Sequence, residues 1–341
     1  MPISGDFDFI HAKTHGLRSR VYELERLDIL CDLRTIPQLW HRLYPQADPA
    51  DHHALERRLL ADHIAVLDTI RKHLPAHLVA FYTWLLRRLQ VENLKVLLRA
   101  WKARTPLEAV EPFLAPLPAD LALPSGALLK AGSLADFLLL VRQPRLREAG
   151  ERSAELFVDT QETFFVETAL EGAYYTGLLA EHEGLRGAHA SHSQGLVRFE
   201  VAAYNILALF RLKLSYGLAY DDARRFFVPP HPHPFRLERL YDYPEFDDMV
   251  KLVPREFLPR DAGQEPQSVA DLERALWQRQ LQLANRQFYR SVSDFGAVAA
   301  FYTIKRVELA NLIRVVEGVR YGLEPDAIRQ GLIQLPQVVS T

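Results

Sequence analysis

An asparagine on the apolar face of a helix constrains a fold strongly, because its amide must find hydrogen-bond partners wherever water is excluded. This chain places one there three times, at Asn93, Asn205 and Asn311, each time in the same apolar frame. Four residues before stand Leu89, Val201 and Val307, and one after stand Leu94, Ile206 and Leu312. Four after come Leu97, Leu209 and Val315, and five after come Leu98, Phe210 and Val316. These offsets trace one side of an α-helix, so each copy predicts a helix with a polar amide on or beside its buried stripe. Ala80-Phe81-Tyr82-Thr83 before the first asparagine also recurs as Ala300-Phe301-Tyr302-Thr303 before the third. The asparagines lie 112 and 106 residues apart. Solenoid and propeller repeats are far shorter, roughly 20–50 residues, so the pattern indicates repeated small domains.

The surroundings of each copy fit one helical unit. Leu86, Leu89, Leu94, Leu97, Leu98 and Trp101 form the first stripe, flanked by Arg87, Arg88, Lys95, Arg99 and Lys102. That helix is expected to stop near Arg104, where Thr105-Pro106-Leu107-Glu108 has the form of a capping box for a new helix. Gly217 and Gly322 stand where left-handed stops are expected after the second and third copies. Short helices are expected next, over Leu107–Val110, Asp221–Phe227 and Asp326–Leu332. Further helices are expected over Leu59–Leu74, Phe157–Leu179 and Val269–Phe288. Period-two alternation is scarce, so the fold class is all-α, with a helical bundle in each repeat. The domain expectation is 1–125 for repeat one, 126–232 for repeat two with the start of a connector, and 233–341 for repeat three. Proline-rich stretches, Pro106 to Pro124 and Pro229 to Pro266, read as the connections. The second carries Phe235, Tyr241, Tyr243, Phe246 and Phe257, and is therefore expected to pack on the domains.

Each buried amide admits two accounts. It either bonds backbone groups of a neighbouring segment and fixes its packing, or it touches a ligand in a central cavity; recurrence in every repeat favours packing. Glu308, three before Asn311, is a candidate for the same polar cluster, although the matching residues are Gln90 and Ala202. Six after the asparagines stand Arg99, Arg211 and Glu317, which read as a solvated helix face.

Composition and missing motifs exclude several functions. With 41 basic and 43 acidic residues the chain lacks the basic excess of a nucleic-acid binder. Cys31 stands alone, which permits no intrachain disulfide and suits a reducing, cytoplasmic setting. The first residues lack the features of a secretory signal, and no stretch reaches the ~18 apolar residues of a membrane span. Phosphate-binding glycine loops, the His-Glu-x-x-His pair and the Gly-x-Ser-x-Gly elbow are all missing. Three histidine pairs, His52-His53, His189/His192 and His231/His233, fall short of the ligand set of a zinc site. His189-Ala190-Ser191-His192 reads as a turn. Asp221-Asp222 and Asp247-Asp248 read as helix starts rather than as acid–base pairs. No catalytic, cofactor-binding or metal-binding residue is therefore assigned. Asn93, Asn205 and Asn311 are assigned as packing residues that define the repeat.

The order of these segments resembles the C-subunit family of the vacuolar/archaeal-type rotary ATPases, whose eukaryotic counterpart is the V-ATPase d-subunit. The likeness is carried by Glu92-Asn93-Leu94-Lys95-Val96-Leu97-Leu98-Arg99, by Tyr204-Asn205-Ile206 through Arg211, and by Glu308-Leu309-Ala310-Asn311-Leu312-Ile313. Phe9 to Arg20 looks like the family's opening helix, Leu39 to Tyr44 like its small-domain segment, and Leu123-Pro124-Ser125-Gly126 like its inter-repeat turn. The resemblance implies three similar helical domains arranged as a pseudo-threefold funnel, and a non-catalytic central-stalk adaptor. Its implied partners are the central shaft subunits and the membrane proteolipid ring, with no cofactor, nucleic acid or small-molecule substrate, at a cytoplasmic site peripheral to the membrane. Two other readings stand beside it: an unrelated helical scaffold, and a helical metal-dependent enzyme using the histidine pairs.

Overall fold

A computed structural model describes residues 5–228, 236–259, 265–291 and 294–335. Among the described residues the regular elements are all helical, as the periodicity requires. Helices α1 (Gly5–Arg18), α2 (Glu25–Cys31) and α3 (Ile36–Leu43) precede the long α4 (His52–His73) and α5 (Ala76–Lys102). Then come α6 (Leu107–Val110), α7 (Ser125–Leu129), α8 (Leu134–Leu139), α9 (Pro144–Thr160), α10 (Thr163–Glu183) and α11 (Gly187–Leu214). The series closes with α12 (Tyr220–Ala223), α13 (Glu238–Tyr241), α14 (Phe246–Lys251), α15 (Val269–Arg290), α16 (Phe295–Arg320) and α17 (Pro325–Gly331). The chain divides into two compact units, Met1–Pro75 with Trp277–Thr341, and Ala76–Leu276.

The asparagine helices α5, α11 and α16 end alike. Arg104, Gly217 and Gly322 adopt left-handed φ of 53°, 63° and 66°. The next residue folds back, so that Thr105 N–H reaches Ala100 O at 2.9 Å, Leu218 N–H reaches Leu212 O at 3.1 Å and Leu323 N–H reaches Gly318 O at 2.9 Å. The acceptor is the seventh residue after the asparagine in every copy, and the second copy spends one extra residue on the turn. Reversal directs the chain into α6, α12 and α17, whose Val110, Ala223 and Ile328 are buried. The capping box expected at Thr105 does not form. Its N–H is used by the reversal, Pro106 flanks the helix, and no side chain caps α6.

A second repeated frame lies in the short helices, and periodicity alone does not expose it because each piece is barely two turns long. Thr35, Ser133 and Glu245 flank the starts of α3, α8 and α14. Five residues before them are Leu30, Leu128 and Leu240, and four after are Leu39, Phe137 and Met249, all fully buried. In the second unit this frame follows Asn93 and Asn205. In the first, its members come from the start of the chain: Leu27, Leu30, Leu39 and Trp40 form one core with Leu312, Val315, Val316, Val319, Ile328 and Leu332. Arg329 pairs with Asp32 and Asp326, and Gln334 Nε2 lies 3.3 Å from Asp28 Oδ1, tying α2 to the segment around α17. The helices completing the Asn311 copy thus lie more than 250 residues upstream in sequence.

Two further expectations change. The helix expected over Phe157–Leu179 is broken at Gln161, which takes a left-handed φ of 58° and separates α9 from α10. His189 to His192 lie within α11 rather than in a turn, since Ser193 Oγ donates to His189 O at 2.6 Å and its helix is continuous from Gly187. Proline-rich Pro106 to Pro124 and the described parts of Pro229 to Pro266 carry short helices, with Leu121, Leu240, Met249 and Phe257 buried. Phe235 lies outside the described residues.

Candidate functional site

All three asparagines are buried and each makes the same two-bond contact. Asn93 Nδ2 donates to Ala115 O at 2.9 Å, and its Oδ1 accepts Ala115 N–H at 2.8 Å. Asn205 Nδ2 donates to Val228 O at 3.3 Å, and its Oδ1 accepts Val228 N–H at 2.9 Å. Asn311 Nδ2 donates to Ile333 O at 2.7 Å, and its Oδ1 accepts Ile333 N–H at 2.9 Å. The partner lies 22, 23 and 22 residues on, the second copy again carrying the extra residue of its turn. A carboxamide matches a peptide group donor to acceptor and acceptor to donor, so it can hold both backbone polar groups of one residue. One donor and one acceptor of each amide are thereby engaged with backbone.

Other positions on these helices extend the clamp. Gln90 and Glu308, three before their asparagines, also hold backbone: Gln90 Nε2 donates to Leu121 O at 2.8 Å, and Glu308 Oε1 accepts Tyr22 N–H at 2.7 Å. Eight after the asparagine, Trp101 Nε1 donates to Ala131 O at 2.8 Å and Lys213 Nζ donates to Tyr241 O at 2.6 Å. Three of these bonds go to backbone carbonyls, and in the fourth Glu308 accepts a backbone N–H. On α5, Arg88 and Lys95 are not solvated flanks, because both meet Glu171 of α10.

The position six after the asparagine is a cross-pair to a long helix, and reading it as a solvated face missed this. Arg99 Nε donates to Glu167 Oε1 at 2.8 Å, with Nη2 on the second oxygen, and Arg211 Nη2 donates to Glu273 Oε2 at 2.7 Å. Hydrogen bonding to Glu167 holds the Arg99 guanidinium more firmly charged than usual. In the Asn311 copy the residue is Glu317, and its partner is Glu56 of α4. Glu56, Glu167 and Glu273 are each the fifth residue after the one that flanks their helix, Asp51, Glu162 and Ser268. That shared register was the available signal, and it becomes legible only when the helix starts are known.

Among known proteins, the family description "ATP synthase (C/AC39) subunit" matches residues 10–331. The chain belongs to the ATP synthase (C/AC39) subunit family. A curated relative, the C-subunit of the A-type ATP synthase of Methanosphaera stadtmanae, is 20% identical over 318 residues, spanning 90% of this chain and 82% of the relative. The family match covers all three asparagine helices and both repeated frames, so the geometry above is that of a C/AC39 protein. The resemblance read from the asparagine helices therefore reached the right family.

In this C/AC39 chain no helix among the described residues is long and apolar enough to cross a membrane. No group of three or more His, Cys, Asp or Glu is placed to hold a metal ion among the described residues. The His52 and His53 rings meet at a tilt with centroids 3.9 Å apart, and His189 lies against His77 at 5.5 Å. His231 and His233 lie outside the described residues. Asp221 and Asp222 sit in the first turn of α12 and pair with Arg224 and Arg225, and Asp248 at the start of α14 pairs with Lys251. These are helix-start acids engaged by neighbouring cations. Cys31 is buried in the core of the first unit, and burial pushes its thiol up to about 11, far from a reactive thiolate.

A groove of about 940 Å³ in the second unit is lined by Ala169, Gly172 and Ala173 among others. Arginines line it, but Arg224 and Arg225 are paired and Arg145 lies over the Trp84 ring.

Proposed function

We propose that this chain is the central-stalk adaptor of a V/A-type ATPase or ATP synthase, a non-catalytic component that couples the central shaft to the membrane proteolipid ring. The observation that carries this reading is the family match across nearly the whole chain, joined to a clamp used three times on backbone. A thrice-built helical frame with its polar groups turned to its own backbone suits the transmission of force better than chemistry. The named activity of the curated relative, ATP synthesis by an A-type enzyme, enters only as support for the complex to which this protein belongs.

The same reading takes the chain as three similar helical domains in a pseudo-threefold funnel, each built on one asparagine helix. The blocks 1–125, 126–232 and 233–341 then serve as first approximations, with the opening helices α2 to α4 assigned to the domain of Asn311. The protein would sit in the cytoplasm, peripheral to the membrane. Affinity purification of the tagged chain from its own cells tests the role. Recovery of shaft components and a proteolipid ring in fixed ratio is the expected result; a chain recovered without either, from membranes that retain an active rotary ATPase, overturns it.

A further inference from the structure

Three equivalent positions face three equivalent glutamates, and at only one of them is the facing residue not an arginine. Arg99 and Arg211 neutralise Glu167 and Glu273, whereas Glu317 meets Glu56 carboxyl to carboxyl. Two carboxylates cannot both stay ionised at hydrogen-bond distance without a cation for each. We propose that Glu56 and Glu317 share one proton, and that this proton makes the α4–α16 contact a pH-responsive joint that the Asn93 and Asn205 copies lack.

The neighbouring groups assign the proton. Arg320 donates to both oxygens of Glu317, at 3.1 and 3.2 Å. Burial raises Glu317, but the hydrogen bonds from Glu56 and Arg320 outweigh it and hold this carboxyl below its ordinary range. Glu56 feels the same Arg320, which lowers it, but burial first and then its bond to Glu317 outweigh that charge and push it up to about 7. Glu56 O–H therefore donates to the Glu317 carboxylate, and on deprotonation the proton passes to water and leaves two carboxylates facing one guanidinium.

Arg320 is a cation that acts on both carboxyls. On α4, His52 acts on Glu317 and its ring meets that of His53 at a tilt. On α2 and α17 the charges satisfy one another, Arg329 with Asp32 and Asp326, and Arg34 with Glu324. From α3 come His41 and Arg42, both exposed. Helix α1 meets the opposite end of α4, where the Phe9 and His73 rings lie tilted with centroids 5.4 Å apart.

The sign follows from the two directions. Because Glu56 is raised in the folded chain, its contribution is complete at acid pH and is lost as pH rises through about 7. Glu317 is lowered, so its contribution is lost as pH falls through the ordinary carboxyl range. The joint is firmest in the mildly acidic interval between.

The full chain and its Glu56→Gln, Glu317→Gln and Glu317→Arg variants test this by thermal midpoint from about pH 5 to about pH 8.5. Wild type is expected to lose a few degrees relative to Glu56→Gln as pH passes 7, and Glu317→Arg to gain over wild type only above 7. Hydrogen exchange at the start of α4 and the end of α16 should quicken over the same step in wild type alone. Wild type and Glu56→Gln both keep His52 and Glu317, so the step near 7 is read from that pair. An infrared difference spectrum, wild type minus Glu56→Gln at pH 6, should contain a protonated-carboxyl band that vanishes at pH 8. Parallel midpoint profiles for wild type and Glu56→Gln, or no such band, overturn the proposal; these readouts stand even if Glu317→Arg does not fold.

Discussion

Asn311 and Ile333 are joined by a closed pair of hydrogen bonds, side-chain nitrogen to carbonyl and side-chain oxygen to amide, across 22 residues of chain. Between them lie the left-handed turn at Gly322 and the whole of α17. The bond pair therefore fixes where the chain goes after it leaves the helix, and the same loop is closed at Asn93 and Asn205.

Replacing Asn311 with alanine strands a buried N–H and a buried carbonyl, and should cost about 2–4 kcal/mol. Protection of the Ile333 amide against hydrogen exchange is the local readout, and it should fall with the urea midpoint. Asn311→Asp should be no better, because it keeps the acceptor but sets a buried carboxylate against the Ile333 carbonyl. An amide protected as in wild type would show that the bonds are incidental to packing.

Arg104 occupies a left-handed position that glycine fills at the two equivalent turns. A side chain at such φ costs roughly 1 kcal/mol, so Arg104→Gly should stabilise the chain by about that amount, less the loss from a more flexible unfolded state. Gly322→Ala should destabilise by a similar figure, and there is open space around Gly322, so strain rather than collision is the cause. Chemical denaturation of the two variants should move in opposite directions.

Gly177 is a different case. A Cβ built there lies 1.8 Å from Cζ2 of Trp84, whose Nε1 is already fixed by a 2.8 Å bond to Tyr174 O. The indole has no free direction in which to retreat, so Gly177→Ala should separate α5 from α10. The cost should exceed the ~1–3 kcal/mol typical of core overpacking. Near-ultraviolet circular dichroism and Trp fluorescence should register the shift at Trp84.

His63 is buried on α4, its Nδ1 has no hydrogen-bond partner, and burial together with Lys305 and Arg306 lowers it to about 3. It is therefore neutral when folded but takes up a proton when unfolded below its ordinary value of 6.5. A lowered histidine contributes stability above the unfolded value and loses it as pH falls from 6.5 towards 3. His63→Phe should flatten the acid limb of the thermal midpoint profile over that interval while leaving the alkaline limb unchanged. An unaltered acid slope would mean that His63 stays solvated.

The sequence was most legible where one residue type carries a geometric demand. Asparagine in an apolar stripe located three helices, and glycine located two of their three stops, because a left-handed turn favours a residue without Cβ. The third stop was readable near Arg104 only from its neighbours. Glutamates at 56, 167 and 273 carried no comparable signal, since glutamate suits any exposed helix and its partner lies on another helix.

By itself the sequence determined the all-helical class and the triple use of one asparagine helix, because these follow from periodicity, and the order of its segments carried the resemblance to the family. Tertiary structure decided what the asparagines hold, since Ala115, Val228 and Ile333 contribute only backbone atoms, which leave no trace in residue identity. It also decided that helices from the start of the chain complete the copy of Asn311. Burial of Leu30 and Leu39 against Val315 and Val316 is a long-range match of apolar surfaces, and periodicity reports that a face is apolar without saying which other face will cover it.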